Sequence, residues 1–469
     1  MVKFDYDKTY RKGRLITDES TLKFIRNHFS IKDKNAAFVN RKSFGRKIPD
    51  RKYAVQATGL FDLGLLQEIR KFIVEKNLGS VEHTQQLTDR LNCSYSSQDV
   101  FDGLKYPARY YGVETVSEAL KIGCGTIVWG TGGGKSFCMA QLVETIYRND
   151  KNLKCLIVVP GTSLVNQLIQ DFTEYEVSFS YSGWTGKLKL QDTNIIILNS
   201  ENLNAKFGAN KWITDVDLLL VDEVHRSHSN SNLAKLINKI KTPNKFGFTG
   251  TLPPDNLDLW KVIGTFGPVI YEKSSKELRD EGFISDVSIR ILKLIHPKRK
   301  KMNYQDEIKY LVEHEGRNKI IRNLVKKLDK NCLILVNTLD HGHILSKLLQ
   351  FEGKETVFIH GEMSVDERDV IKSRMEIDNN IICIAMSSIF STGISIKNIH
   401  YILFVAGGKS FIRIIQSIGR GLRLHSDKSR LILFDVCDDL KYSDAHLEER
   451  KIFYDNEQIQ FKETSINLL

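Results

Sequence analysis

From residue 122 onward the chain repeats one alternation: an apolar, largely β-branched run, a polar break, then apolar residues at helical spacing. TIVWG (126–130), KCLIVVP (154–160), NIIILNS (194–200), DLLLVDE (217–223) and KFGFTGT (245–251) have few polar interruptions. Strands buried on both faces require such runs, so residues 122–285 predict a parallel sheet flanked by helices. The alternation begins again at about 286, with CLILVNT (332–338), TVFIHGE (356–362), IICIAMSS (381–388), HYILFVAG (400–407) and RLILFDV (430–436). Residues 1–90 predict a smaller mixed unit. TLKFIRNHF (21–29) and LGLLQEIRKFIVEK (63–76) have helical spacing, and FVNRKSFGRKIPDRKYAVQ (38–56) reads as extended segments around a basic turn at Gly45 and Pro49. Residues 80–105 are polar and irregular, predicting a linker, and a helix is expected at about 110–121. The expected class is α/β: two tandem parallel-sheet lobes, 91–285 and 286–469, preceded by a small basic α/β domain, 1–90.

Composition adds a partner to this picture. Of 469 residues 41% are hydrophobic, enough to build packed cores and to exclude global disorder. The formal charge is +11, and residues 1–60 alone hold fifteen Lys/Arg against six Asp/Glu. A region this basic predicts an anionic polymer partner. Phe38, Phe44 and Tyr53 alternate with Arg41, Lys42, Arg46, Lys47, Arg51 and Lys52, where cations contact phosphates and rings stack on bases or pack inward. The seven cysteines form no C-x-x-C pair, which argues against a zinc ribbon or a disulfide scaffold and fits a reducing cytoplasm. No apolar run predicts a membrane span, and the first residues contain no apolar signal core.

The candidate chemistry starts at TIVWGTGGGKS (126–136), a strand running through glycines into Lys135, Ser136 and a helical segment. Gly132, Gly133 and Gly134 let backbone N–H groups curl around phosphate oxygens, and the helix N-terminus adds partial positive charge. Lys135 would reach β- and γ-phosphates and Ser136 would ligate Mg²⁺. Trp129 stands where the strict phosphate-loop pattern has glycine. Asp222 and Glu223 end an apolar run in the same lobe, where one carboxylate can hold Mg²⁺ through water and the other can polarise an attacking water. In QSIGRGLR (416–423), Arg420 and Arg423 share one face of a predicted helix, placed to stabilise a transferring phosphoryl group.

GTGGGKS, VVPGTSLVNQ, VDEVH, FTGT, SSIFSTGIS and QSIGRGLR occur in the order of the superfamily-2 helicase motifs, across about 122–425. The chain resembles the phage-encoded branch-migration helicases of the UvsW type, down to the STGISIKN stretch and the short basic N-terminal domain. That resemblance implies two RecA-like lobes, ATP and Mg²⁺ as cofactors, and branched DNA as partner. It implies nucleotide binding by Thr131, Gly132, Gly133, Gly134, Lys135, Ser136 and Gly393, with Mg²⁺ at Ser136 and Asp222. Catalytic roles fall to Asp222, Glu223, Gln416, Arg420 and Arg423, and coupling of hydrolysis to strand movement to Thr249 and Thr251. Pro160, Gly161, Thr162, Gly361 and Thr392 fall where the family contacts the DNA backbone, and Arg46, Lys47, Arg51 and Lys52 are candidate contacts of the N-terminal domain. Three departures stand out. ARYYGVE (108–114) offers Tyr111 or Gly112 instead of an adenine-reading Gln, Ser395 replaces an acidic residue, and NSENL (199–203) differs from the Thr-x-Gln pattern. The run Lys298–Lys301 is either a solvated loop or a basic hairpin at a junction. An RNA-dependent ATPase and a translocation subunit serving a separate nuclease remain alternatives.

Overall fold

The computed structural model describes the chain except residues 34–49, 93–94, 185–192, 203–210, 227–231, 285, 298–301, 391–397, 406–429, 457 and 469. It divides into two compact units, Met1–Gly130 with Gly134–Lys273, and Thr131–Gly133 with Ser274–Leu469.

The first unit opens with a hairpin, β1 (Val2–Asp7) and β2 (Lys12–Ile16), in which Val2, Phe4 and Tyr6 alternate into the core. β3 (Ser30–Lys32) and β4 (Arg51–Tyr53) form a separate antiparallel pair. β5 (Leu60–Phe61) joins β2, and β6 (Val81–His83) runs parallel to β1, giving the order β5-β2-β1-β6. The helices Glu19–His28 and Leu66–Glu75 lie where helical spacing places them, burying Ile25, and Leu66, Ile69, Phe72 and Ile73. The expected linker at 80–105 is corrected over its first part. β6 and the helix Gln85–Leu91 stand there, the helix capped by Thr84, whose hydroxyl accepts the Leu87 N–H. Three residues with one apolar member carry no alternation to read, and β1 supplies the pairing from far along the chain.

The same unit contains a seven-stranded parallel sheet: β7 (Gly125–Trp129), β8 (Cys155–Val159), β9 (Tyr181–Trp184), β10 (Ile195–Asn199), β11 (Leu218–Asp222), β12 (Lys245–Thr249) and β13 (Val269–Lys273). Their order is β13-β7-β12-β11-β8-β10-β9. β7, β8 and β10 are buried along their whole length, as their apolar runs demand. The edges β9 and β13 escape sequence reading because YSGW and VIYEK are only half-buried and mix polarities. The N-terminal part is joined closely to this lobe. A side chain at Gly64 would come within 2.0 Å of the Ile263 carbonyl oxygen, so the turn Leu63–Leu65 can lie on the helix Asn256–Phe266 only with glycine there.

The second unit is another parallel sheet: β14 (Asp286–Ile295), β15 (Cys332–Val336), β16 (Glu355–Ile359), β17 (Ile381–Met386), β18 (Tyr401–Phe404), β19 (Arg430–Asp438) and β20 (Phe461–Asn467). The order is β16-β17-β15-β18-β19-β14-β20. Ile334, Val336, Ile384, Leu403 and Val436 pack in its core. β20 adds on the outside of β14, and its mostly exposed residues give no apolar run. Two buried charge clusters brace β19. Asp438 accepts from Arg317 Nε at 3.1 Å and lies 2.7 Å from His296 Nε2, while Asp435 takes Arg450 in two bonds of 2.8 and 2.9 Å and the Tyr454 hydroxyl at 2.8 Å. Burial pushes the Asp438 carboxyl up, but the Arg317 guanidinium and the His296 hydrogen bond outweigh it and hold it below the usual range.

Candidate active site

Parallel pairing of β7, β12 and β11 brings three motifs to neighbouring strand ends, because Thr249 registers with Val128 and Asp222 with Phe248. Ligands of such sheets bind beyond these C-terminal ends. After Trp129 the chain turns with Gly132 at φ +81° and Gly134 at φ +85°, a backbone that side-chain-bearing residues rarely adopt. The helix Lys135–Asn149 starts directly behind this turn with no side-chain cap on its first N–H groups. That leaves the donors and the positive end of the helix for an anion. Lys135 Nζ donates to the Trp129 carbonyl at 2.9 Å, folded back over the end of its own strand. Ser136 Oγ lies 3.1 Å from the hydroxyl of Tyr175, the last residue of the helix Thr162–Tyr175.

Trp129, at the position of the missing glycine, is 1% exposed and meets the Tyr111 ring edge-on at 4.8 Å. Tyr111 is fully buried and its hydroxyl accepts from Arg109 Nη1 at 2.7 Å. The Tyr111 ring is therefore part of the core and is not exposed to stack on a base. Gly112 faces Gln141 Oε1 and Trp129, each 3.9 Å from where its side chain would begin. No sequence motif points to Arg109. Its Nη1 lies 4.0 Å from where a side chain at Gly134 would begin, which adds a cation beside the glycine turn.

Asp222 closes β11, and its Oδ1 accepts the Glu223 N–H at 3.0 Å. Glu223 adopts φ +53°, a left-handed backbone that costs a non-glycine residue on the order of 1–3 kcal/mol. The sharp turn places both carboxylates at the strand end. Glu223 Oε2 stands 3.3 Å from His225 Nδ1, which lies 2.9 Å from Thr249 Oγ1. Thr249 Oγ1 in turn donates to the Thr251 carbonyl at 2.8 Å. His225, the histidine of VDEVH, thus links the carboxylate of that motif to the FTGT threonines.

Pro160 and Gly161 lead from β8 into the helix that begins at Thr162, with Gly161 at φ +90°. Asn199, 2% exposed at the end of β10, accepts the N–H groups of Gly161 and Glu201 at 2.9 Å each and donates to Thr162 Oγ1 at 3.1 Å. The departure at NSENL hid this residue from motif reading. Its signal was a polar residue closing a fully apolar strand. Gly361 follows β16 in the second unit, exposed, its carbonyl taking Arg368 Nη2 at 3.2 Å. Arg51 is engaged with Ser30 through Nε to Oγ at 2.9 Å, and Lys52 with Asp33 at 3.1 Å. Arg26 lies over the Tyr53 ring at 4.6 Å. Arg46, Lys47, Lys298–Lys301, Thr392, Gly393, Gln416, Arg420 and Arg423 lie outside the described residues.

Among the described residues no three His, Cys, Asp or Glu side chains gather as a metal cluster, and no helix is long and apolar enough to cross a membrane. The donors that are present, one hydroxyl at a helix start and a carboxylate at a strand end, suit an ion that takes most of its oxygens from phosphate and water.

Comparison with known proteins agrees with this arrangement. Residues 107–254 match the family described as "Type III restriction enzyme, res subunit", and residues 316–425 match "Helicase conserved C-terminal domain". Over 449 residues the chain is 26% identical to the ATP-dependent DNA helicase uvsW of Enterobacteria phage T4, spanning 91% of this chain and 88% of that one. It is also 26% identical over 351 residues to Putative helicase 22 of Sulfolobus islandicus filamentous virus, 68% of this chain and 62% of that one. The fragment structure of a putative HsdR subunit of a type I restriction enzyme from Vibrio vulnificus YJ016 shares the fold. Its TM-score is 0.60 at 16% identity, over 82% of this chain and 73% of that one. By these matches the chain belongs to the superfamily-2 helicases and, within them, sits with the ATP-driven enzymes of the UvsW type.

Proposed function

We propose that this ATP-driven helicase acts on DNA, and that its task is the remodelling of branched DNA, by branch migration or by unwinding at forks and junctions, in recombination and repair. The observation that carries the reading is the series of contacts from Glu223 through the His225 and Thr249 side chains to the Thr251 carbonyl, which ties the carboxylate proposed for hydrolysis to the segment expected to follow strand movement.

In this reading the glycine turn and the first N–H groups of the helix Lys135–Asn149 wrap the β- and γ-phosphates. Lys135 leaves the Trp129 carbonyl to meet them. Ser136 and Asp222 would hold Mg²⁺, which would supply positive charge against the phosphates. Glu223 accepts the proton of the attacking water, held at the strand end by its left-handed backbone. Arg420 and Arg423 stabilise the equatorial oxygens when the lobes close, with Gln416 and Gly393 completing that side. Proton uptake by Glu223 alters its contact with His225, and Thr249 and Thr251 carry the change onward. Pro160, Gly161, Thr162, Gly361 and Thr392 hold the tracked strand by its backbone, and residues 1–90 grip duplex near the branch.

The 26% identity over most of both chains with the phage ATP-dependent DNA helicase uvsW favours DNA over RNA. Comparing ATPase stimulation by branched DNA, linear duplex, single strands and RNA tests the reading. Greatest stimulation by branched DNA is expected, and equal or greater stimulation by RNA would overturn it. The match of residues 107–254 to a restriction res subunit favours a second reading, a translocating subunit that serves a separate nuclease. Co-purification of a nuclease with the intact chain would select it.

A further inference from the structure

Within the first unit, between the N-terminal strands and the first parallel sheet, lies a cavity of about 890 Å³. Its walls carry Arg11, Lys12, Arg90, Lys241, Lys245 and Lys261, against the single acid Asp62. Three of these cations have carboxylate partners: Lys12 with Asp62 at 3.0 Å, Lys241 with Asp215 at 3.7 Å and Lys261 with Asp258 at 2.8 Å. No carboxylate among the described residues forms an ion pair with the other three. Arg11 Nη2 donates to the Asn238 carbonyl at 3.2 Å. Arg90 lies over the Tyr6 ring at 5.3 Å, and its Nε is buried without a partner. Lys245 Nζ donates to the carbonyls of Ile237 and Ile240 at 3.3 and 3.1 Å, which leaves its third N–H.

These cations act on one another. Burial first, and then the Arg11 and Arg90 guanidiniums, lower Lys245 to about 8, while Asp62 offsets only part. Like charges held together in a partly desolvated cleft are costly unless an anion joins them. The aromatic residues Tyr10, Tyr53 and Trp260 line the same cavity as the charges. Cations without carboxylate partners, a buried guanidinium N–H and aromatic walls are the chemistry of a phosphate with a base or sugar attached. The volume suits a nucleotide-sized group.

We propose that this cleft is a phosphate-binding site, separate from the glycine turn, in which Arg11, Arg90 and Lys245 seat a phosphate of a nucleic-acid strand beside Tyr10, Tyr53 and Trp260. The site shares no residue with the ATP site. It extends the reading that residues 1–90 contact DNA by giving that contact a seat at the join between the N-terminal strands and the lobe. A free nucleotide or polyphosphate would present the same chemistry.

The test is reductive trapping of the full-length protein with pyridoxal 5′-phosphate and borohydride at about pH 8, near the value to which Lys245 is lowered, followed by peptide mapping that separates Lys245 from Lys135. Lys245 is expected to label ahead of exposed lysines, and a forked oligonucleotide is expected to protect it. Stronger protection by the oligonucleotide than by inorganic tripolyphosphate, at equal phosphate concentration, assigns the strand as ligand. Equal protection assigns a free phosphate compound to the same site. Arg11→Gln removes an exposed cation and should weaken Lys245 labelling; for a strand ligand it should also flatten the slope of log affinity against log salt by about 0.9. Arg90→Lys, which keeps charge and packing, should retain most of the labelling. Lys245 labelling no faster than that of exposed lysines, or unchanged by either competitor, overturns the proposal. A protein that labels and is protected but shows no preference for branched DNA keeps this site and loses the branched reading; branch preference without protection does the reverse.

Discussion

Glu223 combines the carboxylate proposed as the base with a backbone, φ +53°, that a side-chain-bearing residue adopts at a cost. The strain is held because Asp222 Oδ1 takes the Glu223 N–H and fixes the turn. Glu223→Gln keeps size and backbone and removes the base, so turnover should fall by about 10²–10⁴-fold with ATP affinity retained. Single-turnover hydrolysis beside nucleotide titration reads both quantities, and a collapse of ATP affinity would make Glu223 a binding residue instead. His225 predicts a different defect. Removing its ring breaks the link between Glu223 and Thr249 while leaving both groups in place. A hydrogen bond is worth about 1–1.5 kcal/mol, so His225→Ala should lower strand displacement per ATP hydrolysed by roughly tenfold. ATPase should change much less, and a parallel fall of both rates would deny His225 the coupling role.

At the scale of elements, β10 shows how one polar side chain organises a loop. Asn199 satisfies the Gly161 and Glu201 N–H groups and holds the Thr162 hydroxyl, fixing the start of the helix Thr162–Tyr175. The far end of that helix meets Ser136 through Tyr175, so one helix touches both the expected strand-contact residues and the expected metal ligand. Asn199→Ala leaves two part-buried donors without their partner and should cost about 1 kcal/mol of stability, read as a lowered Tm. The DNA concentration for half-maximal ATPase should rise, with unstimulated turnover unchanged. An unaltered DNA requirement would reduce Asn199 to a structural cap. The helix Lys135–Asn149 was legible because GGGKS leads straight into helical spacing. The edge strands β6, β9 and β20 were not, because short or half-exposed strands owe their existence to a partner's hydrogen bonds and not to their own pattern.

At the scale of the whole molecule, two parallel sheets divide the expected machinery. The glycine turn and carboxylates follow the first sheet's strands, and the arginines stand in the sequence of the second half. If Arg420 or Arg423 completes the transition state only on closure, each Ala variant of the full chain should lose about 10³-fold or more in turnover. ATP binding should barely change. The basic N-terminal region makes a separate prediction. Arg51 holds Ser30 and Lys52 pairs with Asp33, so their loss would loosen the β3–β4 pair; Arg46 and Lys47 are the better targets. Replacing these two with Ala should flatten the salt slope of junction binding by about 0.9 for each phosphate no longer neutralised, and lower branched-substrate unwinding more than single-strand-stimulated ATPase. An unchanged slope would leave the region a docking or folding element. The sequence by itself determined the paired α/β lobes, Lys135 and Ser136 behind the glycine turn, and the Asp222–Glu223 pair, because apolar runs and glycine spacing act locally along the chain. Only the tertiary structure decided that Tyr111 is core, that His225 links two motifs, that Asn199 fixes the turn at Gly161 and that Arg11, Arg90 and Lys245 share one cleft. Those facts depend on which strands become neighbours, and strand order is set by long-range packing that no local pattern encodes.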